Sequence, residues 1–179
     1  MILASITRQL RRFIRGERGN VTIEFVFYTV VLFGLLGAGV EMGSINLRRA
    51  LLERAVDVAV RDIRLGTGNI PSYWNVKKKM CREASFSGDC ENNLMLEMVQ
   101  VDPRNFTKLD DEAQCSNARE DPKPVRNFVN GQENDLMVLR VCAMIDPIFP
   151  TTGLGKSLGT GPGGQFSLVS TTVFVQEPR

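Results

Sequence analysis

Residues 21–40 read VTIEFVFYTVVLFGLLGAGV, and residues 25–40 carry no charged side chain. A helix needs about 20 predominantly apolar residues to cross a bilayer. The uncharged run is slightly shorter than this, but beyond it Glu41 is the only charged residue before Arg48. The sequence therefore predicts one transmembrane helix at about residues 21–43.

A basic leader precedes this segment. Residues 1–19 contain five arginines and one glutamate, so they carry a net charge of +4, against +2 for the whole chain. Positively charged residues accumulate on the cytosolic side of membrane segments, so we expect a cytosolic N-terminus and an exported C-terminal part. Since the rest of the chain is net −2, the charge distribution does not indicate a nucleic-acid partner.

Residue types narrow the function further. The chain has no histidine, which excludes a Ser-His-Asp triad, a Cys-His pair and zinc sites with imidazole ligands. All four cysteines follow the apolar segment, and an even number on one side of a membrane suggests disulfides. Three pairings are possible, and we favour Cys81–Cys90, across a Ser-Gly-Asp turn, and Cys115–Cys142, from a polar loop to a buried strand. Four reduced cysteines are the alternative.

The remaining pattern predicts an α+β fold. Apolar residues at three- and four-residue spacing between Leu52 and Ile63 predict that the first helix continues to Leu65, over residues 20–65 in all. A second helix is predicted at residues 73–84. Three strand-like runs follow, at residues 94–101, 135–145 and 166–175, and the middle one is apolar almost throughout, as in a strand buried on both faces. We therefore expect a long membrane-spanning helix and a small domain, residues 66–179, with an antiparallel sheet.

Two connecting segments carry the composition of loops. The polar stretch between the first two strands contains three prolines, and residues 151–164 contain six glycines and one proline. Glycine and proline interrupt regular structure, so both segments are predicted to be mobile loops.

The most informative motif lies at the membrane edge. Gly19 closes the basic leader, residues 20–23 follow, and Glu24 and Phe25 stand inside the apolar run. A charged side chain at the centre of a membrane helix costs about 2.5–3.5 kcal/mol and less near its edge, so Glu24 is a functional candidate. The alternative is a glutamate tolerated in the headgroup region of an ordinary signal-anchor.

This motif resembles the prepilin peptidase substrates of the tight-adherence (Flp pilus) system, in which a glycine and four residues precede a glutamate and an aromatic residue. The resemblance implies that a membrane-embedded peptidase cuts after Gly19 and that Asn20 becomes the N-terminus. It also implies that Glu24 neutralises the α-amino group of a neighbouring subunit, where neither charge is well hydrated.

The resemblance covers nearly the whole chain. The helix after the anchor and the ending VFVQEP, residues 173–178, look like those of TadE-like pseudopilins, although Gln176 stands where we would expect asparagine. The family implies a pilin-like minor pseudopilin with a structural role and no catalytic residue, cofactor or metal. It implies a single-pass protein of the bacterial inner membrane with a periplasmic domain. Its partners would be other pilins and pseudopilins, the prepilin peptidase, the inner-membrane assembly platform and membrane lipid.

Gly39 and Gly43 lie four residues apart in the predicted helix, where small residues let another helix approach closely. The alternative is that glycine is simply common in membrane helices.

Two other interpretations of the N-terminus remain open. An ordinary signal peptide cut after Gly39 would release a secreted binding or enzymatic domain that begins at Val40. An uncleaved signal-anchor would instead carry a sensor domain.

Two further signals are discounted. Residues 153–157 resemble part of a phosphate-binding loop, but Pro150 occupies the position of its first glycine. Lys77, Lys78 and Lys79 are predicted to form a solvated helix face.

Overall fold

The computed structural model describes residues 20–65, 71–84, 89–105, 112–119 and 127–178. Its elements, in chain order, are helix α1 (Asn20–Leu65), helix α2 (Tyr73–Ala84), a short helix α3 (Cys90–Asn93), strand β1 (Leu94–Gln100), strand β2 (Leu136–Ile145), a short helix α4 (Gly153–Leu158), a 3-10 turn (Pro162–Gly164) and strand β3 (Phe166–Val175). Both predicted helices are present, and within the described residues they cover the predicted ranges. The three predicted strands are confirmed to within one residue.

The sheet is antiparallel throughout, with β2 between β1 and β3. Alternate residues of a strand face opposite sides of the sheet. The odd-numbered residues of β2, such as Leu139 and Val141, face the hydrophobic core, and Cys142 on the opposite side is also buried. The prediction of a central strand buried on both faces is therefore confirmed.

The core lies between the sheet and two helices. Residues at helical spacing on the second half of α1, from Leu52 to Ile63, pack in one cluster with Val76 and Met80 of α2 and with the inner face of the sheet. This second half belongs to the compact unit that runs from Glu41 to Arg179, whereas residues before Glu41 make up a separate unit. Half of the long helix is thus part of the C-terminal domain.

The prediction of a mobile loop at residues 151–164 is wrong, because this segment contains α4 and the 3-10 turn. Thr152 caps α4: its side-chain oxygen accepts a hydrogen bond from the Gly155 N–H at 3.1 Å. A Cβ atom on Gly155 would collide with the carbonyl oxygen of Phe149, and one on Gly159 with that of Gly164. These glycines therefore permit close packing rather than mobility. The predicted loop between β1 and β2 lies partly outside the described residues.

Candidate functional site

The first half of α1 is an apolar helix without internal partners. Its side chains are exposed, for example Phe25 at 67% and Leu35 at 68%, and no part of the described chain covers them. An exposed apolar surface of this length needs an apolar environment outside the chain. The helix is long and apolar enough to cross a membrane, as a span or as a signal-anchor.

The motif residues lie at the start of this helix. Asn20 is its first residue, and Gly19 lies outside the described residues. Glu24 is exposed about one helical turn further on, next to Phe25, and no hydrogen bond or ion pair connects its carboxylate to the described residues. The carboxylate is thus accessible to a group from another molecule.

Gly39 and Gly43 lie on an open part of the helix surface. A Cβ atom built on either residue meets nothing within 4 Å among the described residues, leaving aside the helix's own backbone. The packing of this chain against itself therefore does not require glycine at these positions. A close approach by a second helix would require it.

Glu41 is a functional candidate that the sequence analysis did not identify. It is 1% exposed although it directly follows the apolar run. Its two carboxylate oxygens accept hydrogen bonds from successive backbone N–H groups, from Ile148 at 3.0 Å and from Phe149 at 2.9 Å. Hydrogen bonds to an ionised acceptor are roughly twice as strong as neutral ones. Glu41 therefore ties the loop at residues 147–150 to α1.

Further contacts hold the same loop. Arg48, two helical turns after Glu41, donates to the carbonyl oxygen of Asp146 at 2.7 Å. The carboxylate of Asp146 accepts hydrogen bonds from Arg119 at 2.9 Å and from Gln165 at 3.1 Å. Side chains from three other parts of the domain thus converge on Asp146, the residue directly before the loop.

Both predicted disulfides are present. Cys81 and Cys90 have Cα atoms 5.8 Å apart, and Cys115 and Cys142 have Cα atoms 5.2 Å apart. These distances fall in the ordinary range for a bridge. The second bridge attaches residues 112–119 to the outer face of β2.

The lysine run on α2 does not behave as one solvated face. Lys78 is exposed, but Lys79 pairs with Asp62, and Lys77 is only 6% exposed. The ammonium group of Lys77 lies 5.3 Å from the ring centroid of Tyr73 and 5.2 Å from that of Trp74. The prediction is therefore wrong for Lys77, which is buried with its ammonium group beside two aromatic rings.

Burial shifts the pKa values of Lys77 and Tyr73 on α2. Loss of hydration lowers the pKa of Lys77 from its ordinary value of 10.5, against the opposing effect of Glu91 and Asp89. Loss of hydration raises the pKa of Tyr73 from 10.0, partly offset by a hydrogen bond with the backbone of Leu96. Both shifts disfavour the charged form of the group.

Comparisons of this chain with protein-family models, with curated proteins and with solved structures found no match.

Proposed function

We propose that this protein is a TadE-like minor pseudopilin that takes part in assembly of a Flp-type pilus. The observation that carries the proposal is the motif from Gly19 to Phe25 at the start of an apolar helix whose side chains have no partners in the described chain. A subunit that assembles through its N-terminal helix needs such a surface. The role is structural, with no catalytic residue, cofactor or metal.

In this proposal the prepilin peptidase cuts between Gly19 and Asn20, and the subunit remains in the bacterial inner membrane with its C-terminal domain in the periplasm. The new α-amino group lies at the start of α1. The exposed carboxylate of Glu24 on an adjacent subunit neutralises it. The open surface at Gly39 and Gly43 admits a neighbouring helix. Other pilins, pseudopilins and the assembly platform are the partners.

The first test is the mature N-terminus. The full-length protein is produced with a Flp-type prepilin peptidase, extracted from the membrane and measured by intact and N-terminal peptide mass spectrometry. We expect a chain that starts at Asn20. A start at Met1 or Val40 would contradict the proposal.

The second test concerns the carboxylate. Glu24→Ala should leave cleavage largely intact but reduce co-purification with partner pilins, because the neighbouring amino group loses its counter-charge. Glu53→Ala is the matched control, since Glu53 lies further along the same helix, pairs with Arg49 and is 53% exposed. Equal co-purification of the two variants would count against the role of Glu24.

One observation favours a second candidate, a secreted domain released by signal peptidase. The compact C-terminal unit begins at Glu41, one residue after the Val40 start that this alternative requires. The same mass measurement separates the candidates, because signal peptidase would yield Val40.

A further inference from the structure

We propose that residues 147–150 form a second membrane contact, a rigid loop that inserts Ile148 and Phe149 into the lipid headgroup region. This inference rests on the membrane span in the proposed function. It adds a lipid-binding surface on the folded C-terminal domain, which the motif at the N-terminus does not imply.

The first argument is position. The carboxylate of Glu41 holds the backbone of Ile148 and Phe149 at 3.0 and 2.9 Å. Glu41 is the residue that directly follows Val40, the last residue of the uncharged run. If the apolar run spans the bilayer, Glu41 lies at its boundary. Two residues hydrogen-bonded to Glu41 then lie at that same boundary.

The second argument is the side chains that the loop exposes. Ile148 is 41% exposed and Phe149 is 38% exposed, although both are large and apolar. The loop sequence Pro-Ile-Phe-Pro contains no charged or polar side chain. Large apolar and aromatic side chains anchor proteins at the interface between lipid and water. Contact of these apolar side chains with water is unfavourable, and their transfer to the interface between lipid and water is favourable.

The third argument is that the loop is held in place before any membrane is met. Besides Glu41, the backbone N–H and the hydroxyl of Thr152 donate to the carbonyl oxygen of Phe149 at 3.2 and 2.8 Å. Gly155 packs so closely on the same carbonyl that a Cβ atom could not be accommodated. A preordered loop loses little conformational entropy on insertion.

Charge near the loop is complementary to anionic lipid. Lys156 is exposed, lines one shallow pocket with Pro147 and Pro150, and has no ion pair among the described residues. Arg119 in the same pocket is already paired with Asp146. A basic side chain near the membrane surface is attracted to anionic lipid.

The test is depth-dependent fluorescence quenching of the full-length protein in vesicles of zwitterionic and anionic lipid. Trp74, the only tryptophan, is first replaced by phenylalanine, and one new tryptophan is introduced as Phe149→Trp. We expect a blue-shifted emission and a loss of fluorescence with lipids brominated near the headgroup. Ile148→Trp is a second probe of the same loop. Val129→Trp is the control, because Val129 is 52% exposed in a different part of the domain.

A further variant, Phe33→Trp, reports on the span itself and should be quenched most by deeply brominated lipid. Quenching at position 33 without quenching at positions 148 and 149 would overturn the loop contact and leave the span intact. Absence of quenching at position 33 would overturn the span and the loop contact together. Equal quenching at positions 129 and 149 would show that the lipid contact is not specific to the loop and would overturn the proposal. A blue shift at position 149 without quenching by brominated lipid would also overturn it, because that result indicates a protein partner.

Discussion

Replacing Glu41 with glutamine should release the loop at residues 147–150. The carboxylate accepts two hydrogen bonds, and bonds to a charged group are worth about 1.5–3 kcal/mol each. The glutamine oxygen can keep one neutral bond, but its NH2 group is itself a donor and cannot accept the second N–H. Because glutamine is also less costly to bury than a charge, we expect a net loss of about 2 kcal/mol.

Hydrogen exchange measures this loss at the atoms concerned. Since Pro147 and Pro150 have no amide hydrogen, Ile148 and Phe149 supply the only exchangeable backbone amides of residues 147–150. A loss of 2 kcal/mol in local opening should speed their exchange roughly 30-fold. The measurement uses mass spectrometry of the full-length protein in detergent micelles.

Glu53→Gln is the control, because it removes an exposed carboxylate of the same helix whose partner among the described residues is Arg49, in a surface salt bridge. Exposed pairs of this kind contribute about 0–1 kcal/mol, so the loop amides should not change. If Glu41→Gln leaves the exchange of Ile148 and Phe149 at the rate of the unmodified protein, the carboxylate does not hold the loop and the argument fails.

Three other variants test the C-terminal domain, each by urea unfolding of the full-length protein in micelles. Removing the second disulfide with Cys115→Ala and Cys142→Ala should lower the free energy of unfolding by about 3–4 kcal/mol, because the bridge closes a loop with a sequence separation of 27. A loss below about 1 kcal/mol would contradict this stabilising role. The side chain of Gln176 donates to two carbonyl oxygens at the end of α1, at 2.9 and 3.2 Å. Asparagine is too short to reach them, so Gln176→Asn should cost about 1 kcal/mol of stability. Gln132→Asn, at the surface, is the control and should cost nothing measurable. The pKa of Lys77 is lowered in the folded state, so between this pKa and 10.5 the unfolded chain binds more protons than the folded one. The free energy of unfolding should therefore rise with pH across this window. Lys77→Met should remove this rise. What remains is the opposite effect of Tyr73, whose raised pKa makes the free energy of unfolding fall above pH 10.0. If the pH profile of the variant is unchanged, Lys77 is not desolvated in the folded protein.

Local periodicity was sufficient to predict most of the fold. The apolar spacing along α1 and the continuous apolar run of β2 are properties of neighbouring residues, and the elements they predict are present. The pairing of Cys115 with Cys142 was one of three that the sequence allowed. It was favoured because it would attach a polar loop to a buried strand, and it is present.

The misses concern contacts between distant residues. Glu41 finds its partners 107 and 108 residues later in the chain, and those partners are backbone N–H groups, which every residue except proline possesses. Lys77 is buried, and its ammonium group lies near the rings of Tyr73 and Trp74, contacts that a run of three lysines does not reveal. The glycines at 155 and 159 suggested a loop because their composition does not distinguish flexibility from close packing. The sequence did contain one signal for Glu41, since it is a lone carboxylate at the end of an apolar run. The argument that such a charge needs a partner was applied only to Glu24.

The order of β2 and β3 along the chain has a consequence for biosynthesis. β3 pairs with β2 along its whole length, from Leu136 with Val175 to Ile145 with Phe166. Until β3 has been synthesised, the central strand keeps one edge unpaired and part of its apolar face uncovered. Gln176 then binds the end of α1, 113 residues earlier in the chain. A chain that is truncated before residue 166 therefore has an open sheet, which proteases can distinguish from the paired one.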